Sequence, residues 1–396
     1  MTIQRRLRGL GWKNLSLITA AIIVVIFLML VRLGSLTKGL SQTEIQTSSR
    51  IVGWHGLYNA PFNLPLKIVR SIIFFLFKHH GQSLTRLANA IFGLLAIGSF
   101  AWLSFIWHGK RTALLVTGLF ATSAWTLHVS RLASSDVSYL WGIVSLLLAN
   151  ALIMRKHISR LEWLIVSFLV GLLLTIPGFI WLIGFSLIMQ KSSILQSWST
   201  ILKTLPLKLS SILLLILWLP LTIINFFRPD QFSLWLGLPK HLPGVARLAK
   251  QFAAVLVHLF FRGPQYPTLW LGKSPLLDAF SLFTVIVGIY FYARHWKNHR
   301  ARIIAGLVLI GIILVGLGGL DSFSLMVGLM YVLAAMGISY LLHAWFTVFP
   351  SNPLARSFGV GLISLAVFVS CLYNLRSYFV AWPHSPVTQQ FFSRRL

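Results

Sequence analysis

Acidic residues are nearly absent from this chain. Its 396 residues include six Asp and Glu against 34 Lys and Arg, and charged residues of both signs make up only 10%. Soluble domains carry about 25% charged residues, so most of this surface cannot face water. Cysteine is scarcer still. Cys371 stands alone inside an apolar run, which excludes a disulfide framework and a Cys-based metal site and leaves a small buried residue. The histidines, His79-His80 included, show no HExxH-type metal spacing. There is no soluble domain, no low-complexity tract and no internal repeat obvious by eye. No small-residue cleavage site follows MLVRLG, so the basic QRRLRGLGWK and the apolar stretch behind it read as a retained first span, not a cleaved signal.

What is present is apolar: 57% hydrophobic residues and a mean hydropathy of +0.82. A bilayer core about 30 Å thick needs ~20 apolar residues per helical span. Such runs predict an all-α membrane protein, one polytopic domain over residues 1–396, with about eleven transmembrane helices. They fall at 14–34, 86–107, 112–129, 136–154, 161–175, 177–190, 206–227, 279–294, 302–318, 322–344 and 356–376. The fifth and sixth abut at Thr175-Ile176-Pro177-Gly178, as a tight hairpin or one kinked helix.

A net charge of +28 would suggest nucleic acid in a soluble protein. Here the basic residues sit mainly in short loops between spans, where orientation and anionic headgroups account for them, so nucleic acid is not expected as a partner. HGKR (108–111), RKHISR (155–160), the 191–205 stretch, RHWKNHR (294–300) and the segment ending at Arg356 carry nearly all the short-loop Lys and Arg. The positive-inside rule puts these loops and the N-terminus in the cytoplasm of a multi-pass cell-membrane protein. Two long connections then lie outside the cytoplasm. One is 35–85, with FNLPLKIVRSIIFFLFKHHG; the other is 228–278, with GVARLAKQFAAVLVHLFFRG, where Arg247 and Lys250 share a face. Each carries a helix suited to lying in the membrane interface.

The wording of several segments also resembles a family. GLSQTE (39–44), PFNLPLKIVRSIIFFLFKHHG (61–81), LTRLANAIFGLLAI (84–97), ATSAWTLHVSRLASSD (121–136) and FFRGPQYPTLWLGKSPLLD (260–278) occur in an order and spacing similar to the C-type (GT-C) membrane glycosyltransferases. The likeness is to the branch of protein O-mannosyltransferases and lipid A aminoarabinose transferases. It covers about 140 residues well and the 260–290 region moderately. The resemblance implies an enzyme moving a sugar from a polyprenyl-phosphate donor to a lipid, glycan or protein acceptor at the outer membrane face. It also implies an inverting displacement with an outer-loop carboxylate as general base. In this family the first outer loop carries Asp-Glu, where this chain has Thr43-Glu44.

With six acids the base candidates can be named exhaustively. On the expected topology Glu44, Asp136, Asp230, Asp278 and Asp321 lie outside and Glu162 inside. Glu44 has a plain reading as a helix N-terminal charge and a functional one as general base. Asp136, after Ser134-Ser135, is an N-cap residue by type and, by its place in SRLASSD, an acceptor-side or metal-binding acid. Arg131 is the one basic residue in its short loop, a headgroup contact or a fork for the donor phosphate. Arg262 and Lys273 flank the GPQYP turn and could meet a lipid phosphate or simply headgroups. His55, Tyr58 and Asn59 in GWHGLYNAP are candidate substrate contacts, though loop polar residues are more often satisfied locally. Asp321 is most simply a cap. A divalent metal ion is left open by the resemblance, and so few carboxylates offer few ligands for one. Two rival classes stand beside the enzyme: a non-catalytic relative that keeps a lipid-binding groove, and a transporter. The latter should show paired halves and mid-membrane charges, whereas the spans between residues 161 and 376 carry almost no central charge and no second copy of the first half.

Overall fold

A computed structural model describes residues 12–49, 62–77, 81–155, 159–194, 229–239, 243–265, 269, 271–319 and 322–393. Among them every regular element is helical: α1 Trp12–Leu30, α2 Gln42–Ser49, α3 Leu64–Phe77, α4 Gln82–His108, α5 Lys110–Thr122, α6 Ala124–Arg131, α7 Asp136–Ile153, α8 Arg160–Leu173 and α9 Phe179–Met189. There follow α10 Pro229–Trp235, α11 Val245–Phe260, α12 Ala279–Arg294, α13 His299–Gly318, α14 Ser324–Val348 and α15 Pro353–Arg376. A π-helical turn, Ser377–Ala381, leads into two short helices, α16 Trp382–His384 and α17 Pro386–Phe391.

The described residues do not confirm the eleven spans expected. Among the described residues five helices are long and apolar enough to cross a membrane: α4, α7, α13, α14 and the continuous Pro353–His384. The count rises to six if α5 and α6, bent by 58° at Ser123, are one broken span. Four stretches expected as spans are apolar but short: Thr19–Leu30, Leu161–Leu173, Phe179–Met189 and Ala279–Arg294. The 206–227 span lies outside the described residues, as does Asp321. At Thr175–Gly178 the chain makes a turn, with Gly178 in the left-handed region (φ 78°) and its N–H donated to Trp235 O at 2.8 Å.

The core is built on two helices. All eighteen residues of α7 are buried, and α14 is buried from Ser324 to Ile338. A helix apolar all round has no solvent face and must sit inside the bundle, and α4, α8 and α14 surround α7. α12 crosses α14 at Gly288 and Gly337; a Cβ at Gly337 would lie 1.9 Å from Thr284 O, so only small residues permit this approach. Outward, α1 exposes Ile22, Ile23 and Phe27, and α15 exposes Phe358, Leu362, Leu365 and Phe368. Those are lipid-facing surfaces.

The helix in the first long connection has an inverted character. α3 turns Arg70 inward, 1% exposed, and leaves Ile72, Phe75, Leu76 and Phe77 outside. In water that arrangement would be unfavourable; against lipid it is the favourable one.

Candidate functional site

Glu44 heads the site. α2 starts with a capping box: the Ser41 hydroxyl accepts from Glu44 N (3.2 Å) and the Glu44 carboxylate accepts from Ser41 N (2.9 Å). The same carboxylate receives Arg86 of α4 through Nε (2.8 Å) and Nη2 (3.0 Å) and the backbone N–H of Ala133 (3.0 Å). Arg86 also donates to Leu33 O, Thr37 Oγ1 and Gly39 O. Glu44 and Arg86 are each 1% exposed. Burial pushes the Glu44 pKa upward, but the Arg86 charge, its hydrogen bonds and the two amides outweigh it and hold the carboxyl below its usual 4.5.

A second chain of bonds runs beside this one. Arg70 Nη2 donates to Asn89 Oδ1 (2.8 Å), and Asn89 Nδ2 donates to Ser134 O (2.7 Å). Burial lowers the Arg70 pKa to about 10 while Glu44 opposes that shift. The segment 131–136 is thus held from three sides, by α2, α3 and α4. Asp136 follows it, 6% exposed, at the first position of α7; its N–H donates to Ser134 Oγ (3.4 Å) and its carbonyl accepts from Ser324 Oγ (2.7 Å).

Arg131 points elsewhere. Its guanidinium donates to Leu28 O and Val31 O at the C-terminal end of α1, whose last carbonyls have no intrahelical partner. The rings of Phe379 and Tyr378 lie 4.9 and 5.6 Å from its Cζ. It is 2% exposed. Arg262 and Lys273, by contrast, are exposed and meet in one loop, where Gly263 N donates to Lys273 O (3.2 Å). That loop is anchored on α6, since Trp125 Nε1 donates to Pro275 O (2.9 Å).

Two of the other acids are caps. Asp278 accepts from Phe280 N and Ser281 N at the start of α12, and from Ser370 Oγ and Asn374 Nδ2 of α15. Glu162 closes a capping box with Ser159 and pairs with Arg155 at 2.9 Å. His55, Tyr58 and Asn59 lie outside the described residues, and the side chain of Asp230 is not described. Among the described residues no three His, Cys, Asp or Glu side chains converge as metal ligands.

Sequence reasoning missed Arg86, Arg70 and Asn89. A signal existed for the first. In LTRLANA an arginine stands at the start of an apolar run, and a buried guanidinium requires a partner. With six acids in the chain, few were available.

By sequence the chain matches no protein-family model and no curated protein. By structure it is similar to ArnT from Cupriavidus metallidurans. The apo form aligns with TM-score 0.54 at 13% identity over 95% of this chain and 76% of that one. The form bound to undecaprenyl phosphate aligns with TM-score 0.57 at 12% identity over 97% and 76%. It is similar also to the archaeal oligosaccharyltransferase AglB from Archaeoglobus fulgidus, in complex with an inhibitory peptide and a dolichol-phosphate. There the TM-score is 0.55 at 15% identity, over 93% of this chain and 56% of that one. ArnT and AglB are GT-C membrane glycosyltransferases, and over most of its length this chain has the GT-C fold.

Proposed function

We propose that the protein is a membrane glycosyltransferase that takes its sugar from a polyprenyl-phosphate donor and transfers it at the outer membrane face. The observation carrying this reading is the Glu44–Ala133 bond, which joins the first long connection to the loop before Asp136. These are two of the five segments whose wording resembles the family. The neighbours' lipid phosphates, undecaprenyl phosphate in one and dolichol-phosphate in the other, support the donor class.

The roles divide by what each side chain already does. Glu44 is committed to Arg86 and two amides, so it acts as a positioning residue that sets the 131–136 loop. Arg131 positions too, by tying α6 to the end of α1. Asp136 is the acidic centre: its carboxylate takes the proton of the acceptor nucleophile as that group attacks the anomeric carbon. The bond from that carbon to the phosphate oxygen breaks with inversion, and the leaving polyprenyl phosphate is met by the exposed cations Arg262 and Lys273. The implied divalent metal finds no ligand set among the described residues, and no step is routed through one.

One observation favours a second reading. Thr43 stands where the family has Asp, its hydroxyl 2.9 Å from Ser41 Oγ, and the neighbouring Glu44 is already paired. A relative that binds the lipid without turnover fits this. One experiment separates the two: purified protein with a panel of polyprenyl-phosphate sugars, scoring lipid binding and sugar transfer separately. Transfer that Asp136→Asn abolishes with lipid affinity intact supports the enzyme. Binding without transfer from any sugar supports the inactive relative, and no binding removes both.

A further inference from the structure

The end of α4 remote from Glu44 carries a corner of different character. From Arg86 to Trp107 is 21 residues of helix, about 32 Å at 1.5 Å per residue, close to the thickness of a bilayer core. There the Arg300 guanidinium lies 4.7 Å above the Trp107 ring. This joins the last turn of α4 to the first turn of α13.

Three features set this corner apart from ordinary basic loops. Arg300 is half-buried, and among the described residues it has no ion pair; the two pairs present are Glu44–Arg86 and Glu162–Arg155. Tyr292 is 6% exposed, yet among the described residues its hydroxyl has no hydrogen-bond partner, and neither has the buried Nε2 of His108. Arg300 acts electrostatically on both groups. Finally, α13 begins here with no side-chain cap and no acid in its first turn, so its leading N–H groups and the positive end of its dipole are unanswered. A buried hydroxyl, a half-buried guanidinium and a helix N-terminus are all donors, and a buried donor left unmade costs about 1–3 kcal/mol. An anion is the kind of ligand that satisfies such donors.

We propose that this corner binds the phosphate of an anionic phospholipid headgroup. The surroundings favour a lipid over a free anion. Ile286, Ile289, Tyr290 and Trp296 of α12 and its following turn are exposed. They form an apolar wall for acyl chains, topped by aromatic residues of the kind enriched at the membrane interface. Lys297, Lys110 and Arg111 add exposed positive charge on the adjoining turns. Basic pockets between spans are a known form of phospholipid headgroup site. The site is remote from the proposed donor site and does not depend on that function.

The test is a titration of the purified full chain in detergent with dioctanoyl phosphatidylglycerol, dioctanoyl phosphatidylcholine and inorganic phosphate. Phosphatidylglycerol should bind about ten-fold more tightly than phosphatidylcholine, with inorganic phosphate weaker than either. Arg300→Gln should remove about ten-fold of that affinity and Tyr292→Phe about three-fold, whereas Lys297→Gln should change it less than about two-fold. Equal binding of the two lipids overturns the proposal, as does parent-like affinity in Arg300→Gln. Inorganic phosphate matching phosphatidylglycerol would make this a free-anion site and overturn the lipid. If Arg300→Gln does not fold, Tyr292→Phe decides, because it removes a single oxygen.

Discussion

The two ends of α4 solve the burial of charge in opposite ways. At the Glu44 end, every guanidinium nitrogen of Arg86 has a partner, and Glu44 gathers Arg86, Ser41 N and Ala133 N around one carboxylate, with Arg70 Nε and Arg131 Nε nearby left over among the described residues. At the Arg300 end, a tyrosine hydroxyl and a histidine nitrogen are buried without partners. A satisfied network fixes the backbone around it and has no capacity left for a ligand; an unsatisfied one keeps that capacity at a cost in stability. This contrast is why Glu44 reads as a positioning residue and why the opposite corner reads as a binding site.

The contrast breaks most visibly if Glu44→Ala is tolerated. Removing one partner of a buried pair leaves a charge uncompensated, a loss of about 3–5 kcal/mol, and thermal unfolding in detergent should show it. Combining Glu44→Gln with Arg86→Met should cost less than the sum of the two single changes, because the cycle isolates their coupling. The pair also has a pH signature. Its folded-state pKa lies below the ordinary 4.5, so its contribution is fully present above that value and disappears as pH falls through the lowered one. Glu44→Gln should therefore flatten the acid limb of the stability profile. A variant with the parent's acid limb would show that the pair contributes nothing.

Asp136→Asn ranks next. Loss of a general base lowers transfer by about 10²–10⁴-fold, with the unfolding midpoint close to the parent's; a variant keeping more than a tenth of the parent's transfer rate would leave the acidic centre unassigned. Arg131→Lys should destabilise by about 1–2 kcal/mol, since the fork that closes the end of α1 becomes a point charge. Polyprenyl-phosphate affinity should stay within about two-fold, and a ten-fold drop would restore Arg131 to the donor. The smallest effect sharpens the other end. In lipid-free detergent Tyr292→Phe deletes an unsatisfied hydroxyl and should raise the unfolding midpoint slightly, by the equivalent of about 1 kcal/mol. A fall of that size would mean the hydroxyl already has a partner.

Hydropathy located α4, α7, α13, α14 and α15 to within a few residues, because a lipid-soluble span must be continuous and apolar. Glu44 was legible as a helix N-terminal charge, while its capping box with Ser41, though a purely local pattern, was not read. The break at Ser123 was not legible either: Thr122-Ser123-Ala124 contains neither Pro nor Gly, and the acceptor that takes up the freed Ala124 N–H lies on α15. Nor was the inward turn of Arg70, since the charge spacing in α3 says only that one face is basic. Arg131 was found as a loop cation but its direction was not, because its acceptors are backbone carbonyls about a hundred residues away. Local pattern reports which groups need partners; only the fold reports which ones they find.

The bend at Ser123 has an evolutionary consequence. Where the helix breaks, Ala124 N–H loses its place in the ladder and donates instead to Asn374 Oδ1 at 3.2 Å, while Asn374 Nδ2 reaches Asp278 at 2.7 Å. One amide side chain thus stands in for a missing carbonyl and secures the start of α12 as well. Within a bilayer neither end of that bridge can be left bare. The three positions should therefore vary together: in homologues whose 112–131 stretch runs straight, residue 374 should be free to differ, and where the bend persists Asn374 and Asp278 should persist with it.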